Sequence, residues 1–228
     1  MKAEVSAMDL MWGRGARRSR GPRPVLTITQ IAEAGVEIAD AEGLAAVTMQ
    51  RVAARFGFTA MSLYRYVPGR AELIATMIDT AIGTAPELDV SAGWPPALHE
   101  WAHQLRAVFR SHPWLASATT RARPVGPREL SWLERAVAAL AGSELTGAQS
   151  VDLVVVLTGH VRNLVEAEAG IAADGGAGLG AALAETLGEH AADYPALARA
   201  AGQGAFGPGD EDAFEFGLNC ILAGAAAR

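Results

Sequence analysis

The sequence predicts an all-α protein, an N-terminal three-helix domain followed by a larger helical one, and three observations carry that prediction. No alternating apolar and polar pattern of the kind a half-buried strand needs recurs in the chain. Apolar residues instead repeat at helical spacing, in stretches bounded by Ser or Thr caps and by Gly or Pro stops. Of 228 residues, 50% are hydrophobic and 19% charged, enough to bury a sizeable core in one large domain or two small ones. The boundaries fall at 1–24 for an arm, 25–83 for the first domain and 84–228 for the second.

Residues 1–24 show no apolar period and hold Arg14, Arg17, Arg18, Arg20 and Arg23 among Gly and Pro, which predicts a flexible basic arm. Such an arm either follows a DNA backbone and enters a minor groove or is a solvated tail. Thr29 is read as the cap of a first helix running to about Glu42, with Ile31, Ala34, Gly35, Ile38 and Ala39 on one face and Gly43 as its stop. Thr48 caps a second helix, where Val47 can pack on Val52 as a hydrophobic staple, and Gly57 ends it. Thr59 caps a third, Ala60 to Val67, closed by Pro68-Gly69.

At about 100° per residue, burying Leu63 leaves Met61 and Arg65 pointing outward, flanked by Ser62 and Tyr64. Two short helices joined by a glycine turn, with a guanidinium, a hydroxyl, a phenol and a thioether on the outer face, suit a DNA major groove. The predicted DNA contacts begin with Thr48, Met49 and Gln50, at a helix N-terminus whose N–H groups attract phosphate. They continue through Thr59, Ala60, Met61, Ser62, Tyr64, Arg65 and Tyr66, and end with Arg70 as a phosphate clamp. Arg65 is the candidate for base reading, because a guanidinium can bond a guanine edge bidentately. Tyr64 and Tyr66 either hold the packing or donate to phosphate, or both.

A fourth helix, Arg70 to Ile82, carries Leu73, Ile74, Met77 and Ile78 on one side and stops at Gly83. Pro95-Pro96 suits the start of the next, whose stripe is Leu98, Trp101, Ala102, Leu105, Val108 and Phe109. Ser111-His112-Pro113-Trp114 breaks it; a short helix to Thr120, a loop, and a helix from Pro127 to Gly142 follow. Thr146 and Gln149 read as a capping box for a long helix ending at Gly170, with Val155, Thr158, Val161 and Val165 on one face and Leu153, Val156, Leu157 and Leu164 on another. Residues 171–181 are Gly/Ala-rich and read as mobile; a weak helix from Leu183 to Ala191, a turn at Tyr194-Pro195 and a last helix from Asp210 to Ala226 complete the chain. A helix apolar on two faces must bury both. The helices near 149–168 and 210–226 are therefore expected to form a four-helix bundle with a second copy across a twofold axis.

The Ala/Gly-rich first helix ending in Glu42-Gly43-Leu44, the Thr48 cap, Val52-Ala53, Phe56-Gly57, Leu63-Tyr64-Arg65-Tyr66 and Arg70-Ala71-Glu72-Leu73 occur in one order over residues 28–83. This segment resembles the N-terminal domain of the tetracycline-repressor (TetR) family of bacterial transcription regulators. Gly93-Trp94, Ser111-His112-Pro113-Trp114, the Glu134 helix, the valine-rich helix and Phe214-Glu-Phe-Gly217-Leu218 resemble the ligand-binding and dimerisation domain of the tetracycline-repressor-like subgroup. The resemblance implies a homodimeric, ligand-responsive repressor that binds an inverted-repeat, double-stranded DNA operator and is released by a small, largely apolar effector. It further implies an effector cavity among the middle helices, and Trp101, Leu105, Phe109, His112, Trp114, Thr120, Trp132, Val155 and His160 are the expected lining. In true tetracycline repressors a His holds drug-bound magnesium just ahead of a Thr-Arg-Pro turn. Here Ser117-Ala118 precede Thr119-Thr120-Arg121, so recognition of a metal–tetracycline chelate does not carry over.

Net charge is −6, which by itself disfavours a nucleic-acid partner, but ten Lys/Arg and six Asp/Glu put +4 on residues 1–70 and leave −10 on the rest. The local field matters more than the total for phosphate contacts. The lone Cys220 excludes an intrachain disulfide and reads as core packing in a reducing cytoplasm. No apolar run approaches the ~18 residues of a membrane span. His99 and His103 stand at i, i+4 and could hold a metal, but no third ligand is assigned to them, so they are read as solvent-facing or cavity-lining histidines and no metal and no cofactor are expected. No phosphate loop, nucleophile elbow or paired carboxylates are found, and no catalytic residue is assigned. Two alternatives remain in sequence: an enzyme using the apolar pocket, and a ligand-binding helical dimer without specific DNA binding.

Overall fold

The computed structural model describes residues 6–13, 26–173, 178–206 and 213–227, and every α or 3-10 element among them is helical. The head is built from α2 (Ile28–Glu42), α3 (Met49–Ala54), α4 (Ala60–Leu63) and α5 (Arg70–Ile82). Helix α2 is capped at Thr27 rather than Thr29: the Thr27 side chain accepts from Gln30 N while the Gln30 side chain returns to Thr27 N at 2.9 Å. That reciprocal box satisfies two otherwise free groups, which Thr29 inside the first turn cannot do. Gly43 closes α2 at φ +82°, a conformation that costs glycine little. Helix α5 lies against α2 so closely that a Cβ on Gly35 would sit 2.6 Å from Met77 Sδ. Ile31, Val47, Val52, Leu63, Val67, Leu73, Met77 and Ile78 are fully buried between these helices.

The expectation of a flexible arm is corrected for residues 6–13. Ser6 accepts from Asp9 N and Asp9 returns to Ser6, which caps α1 (Ala7–Met11), and α1 packs on α5. Trp12 Nε1–H donates to the Val125 carbonyl at 3.2 Å, so this end of the chain is tied to the second domain. Arg14, Arg17, Arg18, Arg20 and Arg23 lie outside the described residues.

The second domain comprises α6 (Trp94–Ser111), α7 (Trp114–Ala118), α8 (Pro127–Ala139), α9 (Gly147–Ala173), α10 (Gly178–Glu189), α11 (Pro195–Gly202) and α12 (Ala213–Ala226). Helix α9 is the spine and packs on α6, α7, α8 and α12. Its capping box forms as read, with Thr146 N donating to Gln149 Oε1 at 2.9 Å. Gly170 does not stop it, because the backbone there keeps a negative φ and the helix runs to Ala173. Helix α10 starts at Gly178, earlier than the sequence suggests, and α11 was not anticipated; residues 174–177 and Asp210, the expected start of the last helix, lie outside the described residues.

Head and body meet through directed hydrogen bonds. Asp79 of α5 accepts from Arg128 N and Glu129 N at 2.9 and 3.1 Å and so caps α8 from a neighbouring helix. Burial pushes the Asp79 carboxyl above its ordinary value, and these N–H bonds oppose that shift. Asp40 of α2 accepts from His112 at 2.8 Å and from Trp114 Nε1–H at 2.7 Å.

Candidate nucleic-acid interface and ligand cavity

Helices α3 and α4 hold the predicted reading residues through two side-chain caps. Thr48 Oγ1 accepts from Arg51 N at 3.2 Å, and Thr59 Oγ1 accepts from Ser62 N at 3.3 Å. Gly57, at φ +68°, makes the turn between them. The reading helix is shorter than Ala60 to Val67: after Leu63 the chain tightens, with Arg65 N donating to Ser62 O and Tyr66 N to Leu63 O, before Val67 N closes on Leu63 O. Helix ends commonly tighten in this 3-10 fashion.

Leu63 is fully buried, while Met61 is 76% exposed and Tyr64 46%, and Arg65 stands beside them in solvent. Thr48, Gln50 and Thr59 are exposed; Ala60, Ser62 and Tyr66 are half-buried, and Tyr66 packs on the core. Met49 is buried, so its side chain belongs to the core and only its backbone can face a ligand. The arginines of the head divide sharply. Arg51 pairs with Glu42, Arg55 with Glu37 at 3.7 Å, and Arg70 donates from Nε to Val47 O at 2.8 Å and from an Nη to Leu44 O at 3.0 Å. Among the described residues Arg65 has no such partner, which leaves its guanidinium available to a base edge. Arg70 spans from α5 to the segment before α3 and holds that segment in place.

A cavity of about 300 Å³ lies between the end of α5 and α6, α8 and α9. Of the residues named above, Trp101, Leu105, Phe109, Trp132 and Val155 line it, and the wall adds Ile82, Leu130, Leu133 and Val154, with Thr119, Thr158, Glu129 and Arg162 as its polar groups. Arg162 continues the Val155–Thr158 stripe by one more turn, a signal already present in the helical period of α9. Glu129 is neutralised by a bidentate pair with Arg123 at 2.6 Å. Among the described residues nothing pairs with the Arg162 guanidinium.

Four expected lining residues are elsewhere. His112 and Trp114 turn their polar edges to Asp40, at the head–body seam. Thr120 is exposed and donates to Ser117 O at 2.8 Å. His160 stacks on Phe214 with centroids 5.5 Å apart, and its Nε2–H donates to Phe214 O at 2.9 Å. A Cβ on Gly217 would meet His160 Cε1 at 2.2 Å, so this glycine permits the α9–α12 approach within one chain. Cys220 is exposed, not core. The structure also brings an acid into contact with both His99 and His103: Glu215 of α12, a juxtaposition made across 116 residues between His99 and Glu215 and therefore invisible in local spacing.

A capped, exposed helix-turn-helix on a helical body with an apolar cavity at its junction defines a DNA-binding regulator of the two-domain helical class. The C-terminal 143 residues, 86–228, match the sequence profile described as tetracyclin repressor-like, C-terminal domain, and residues 31–77 match bacterial regulatory proteins, tetR family. The chain belongs to the tetracycline-repressor (TetR) family of bacterial transcription regulators. It is 40% identical over 157 residues to the HTH-type transcriptional repressor DrrR1 of Streptomyces coeruleorubidus, a span of 68% of this chain and 58% of that protein. An HTH-type transcriptional regulator of Saccharopolyspora erythraea is 32% identical over 224 residues, 97% of this chain and 93% of that one. Among solved structures, ActR of Streptomyces coelicolor in complex with (S)-DNPA superposes with a TM-score of 0.76 at 26% identity, covering 90% of this chain and 98% of ActR. No helix among the described residues is long and apolar enough to cross a membrane.

Proposed function

We propose that the chain is a homodimeric repressor of the cytoplasm whose two heads read an inverted-repeat operator and which is released when a small, largely apolar molecule fills the α5–α6–α8–α9 cavity. One observation carries this reading: the wall of the cavity is the end of the helix that leads into the head. Ile82, the last residue of α5, lines the cavity; Gly83 O accepts from Trp132 Nε1–H at 3.0 Å, and Trp132 O accepts from Trp101 Nε1–H at 3.0 Å. A ligand that shifts either tryptophan shifts α5, which begins at Arg70 in the head. The DNA-bound dimer needs its reading helices roughly 34–36 Å apart, and a ligand favours another spacing only through its different affinities for the two states.

Arg162 narrows the effector class. A charged guanidinium facing an apolar cavity is best matched by an anion, so the effector is read as a mainly apolar molecule carrying one acidic group. The similar ActR structure is a complex with (S)-DNPA, which supports ligand binding by this chain. The dimer is read from the exposed apolar side chains that α9 and α12 retain in one chain outside the cavity: Val151, Val156 and Phe216.

Selection from random duplexes at two salt concentrations tests the reading. An enriched inverted repeat with salt-sensitive affinity is expected, and no enrichment by a folded dimer would overturn it. The selected duplex then serves as the probe for release by acidic aromatic compounds. Arg162→Met should weaken release by acidic compounds at least tenfold and leave operator affinity unchanged.

A further inference from the structure

We propose that His99, His103 and Glu215 form a binding site for a zinc-class divalent cation that fastens α12 to α6. The two histidines stand one turn apart on α6 with ring centroids 4.7 Å apart. Their Nε2 atoms converge on one carboxylate: His99 Nε2 lies 3.0 Å from Glu215 Oε2, and His103 Nε2 lies 2.6 Å from Glu215 Oε1. All three donor atoms lie within 4.8 Å of one another. A metal bound at about 2.0–2.2 Å to each needs donors spaced at little more than 3 Å, so a small opening of the existing contacts admits it.

The chemistry of the donors selects the ion. Two imidazole nitrogens and one carboxylate suit zinc and its transition-metal neighbours, whereas magnesium and calcium prefer all-oxygen sets. In the metal-free protein each Nε2–H donates to Glu215; coordination through Nε2 leaves each neutral ring with its proton on Nδ1. The site is partly preset. Phe214, fully buried, presents its edge to His103 at 5.1 Å, and His103 in turn stands against His99. Side-chain exposures of 35%, 38% and 37% leave an approach for the ion, and the adjoining open groove of about 520 Å³, walled partly by His99, Glu100 and Asn219, gives room for water as a fourth ligand. This site is separate from the α5–α6–α8–α9 cavity and does not rest on the DNA-reading or dimer proposals.

The test uses the full chain without an affinity tag, stripped with a chelator and dialysed against zinc chloride. One zinc per chain is expected, with micromolar or tighter affinity and no competition from excess magnesium, and cobalt(II) should give the absorption of a four-coordinate centre. His103→Gln and Glu215→Gln should each weaken zinc binding at least tenfold and abolish the zinc-dependent rise in Tm, while His190→Gln, outside the site, changes neither. The metal-free variants are compared by circular dichroism with the metal-free parent. If Glu215→Gln alone misfolds, the half-exposed pair His99→Gln/His103→Gln carries the test. Absence of saturable zinc binding, or equal binding by the folded variants, would overturn the proposal and leave a plain His–Glu hydrogen-bonded cluster.

Discussion

At the scale of single residues, Arg65 and Arg70 differ in commitment although both are exposed arginines of the head. Among the described residues Arg65 is unpaired beside Met61 and Tyr64, so Arg65→Ala is expected to cost about 1–3 kcal/mol on a selected operator and to relax base preference at one position, with little loss on random duplex. Arg70 is already held by the carbonyls of Leu44 and Val47. Arg70→Ala should therefore weaken all duplexes alike and also lower Tm by about 2–4 °C for each kcal/mol lost from those bonds. An unchanged Tm would return Arg70 to a purely phosphate-contacting role. Gly126 gives a second test: a Cβ there would lie 2.1 Å from Asp79 Oδ1, the oxygen that caps α8. Gly126→Ala should destabilise the fold by about 1–3 kcal/mol, seen in denaturant unfolding.

At the scale of elements, α6 and α9 are joined by a charge cluster as well as by apolar packing. Arg106 and Arg110 of α6 both donate to Glu168 of α9, at 2.5 and 2.8 Å, and Arg106 also lies over the Phe214 ring at 4.2 Å. The Arg110 hydrogen bond is the largest cause holding the Glu168 carboxyl below its ordinary value of 4.5; partial burial opposes it and Arg106 adds to it. Because the folded pKa is the lower one, the contribution is complete above about pH 4.5 and fades as pH falls through the folded value. Glu168→Gln should accordingly flatten the acid limb of Tm against pH and lower the neutral Tm, because the buried Arg106 guanidinium loses this carboxylate. A parallel acid limb in the variant would show that other carboxylates control it.

At the scale of the whole molecule, one chain buries the Leu157–Val161–Val165 face of α9 and the Phe214–Leu218–Leu222 face of α12 in its own core. The opposite faces stay open, with Val156 53% and Phe216 67% exposed. These side chains are the ones the proposed dimer would cover, and an isologous twofold interface would bury the same residues on both copies. If the proposed dimer forms through this face, Phe216→Glu should convert it to monomer in sedimentation equilibrium and, through loss of the paired half-site contacts, abolish binding to an inverted repeat. A variant that stays dimeric would move the interface off α12.

The sequence alone determined the all-α class, the caps at Thr48 and Thr59, the glycine turn at Gly57 and the outward set Met61, Tyr64 and Arg65, because these follow from contacts within a few residues and from the 3.6-residue period. Local rules also turn the stripe Trp101–Leu105–Phe109 inward, and all three are buried. What they could not supply is which inward direction meets which neighbour. His160 faces Phe214 and not the cavity, Trp114 turns to Asp40, and Cys220 faces out, each decided by how α9, α7 and α12 cross their partners. Ser6's short helix depends on α5 for its packing surface, and Glu215 reaches His99 and His103 only because α12 returns to α6. Such contacts between distant segments carry no local period, so only the tertiary structure decided them.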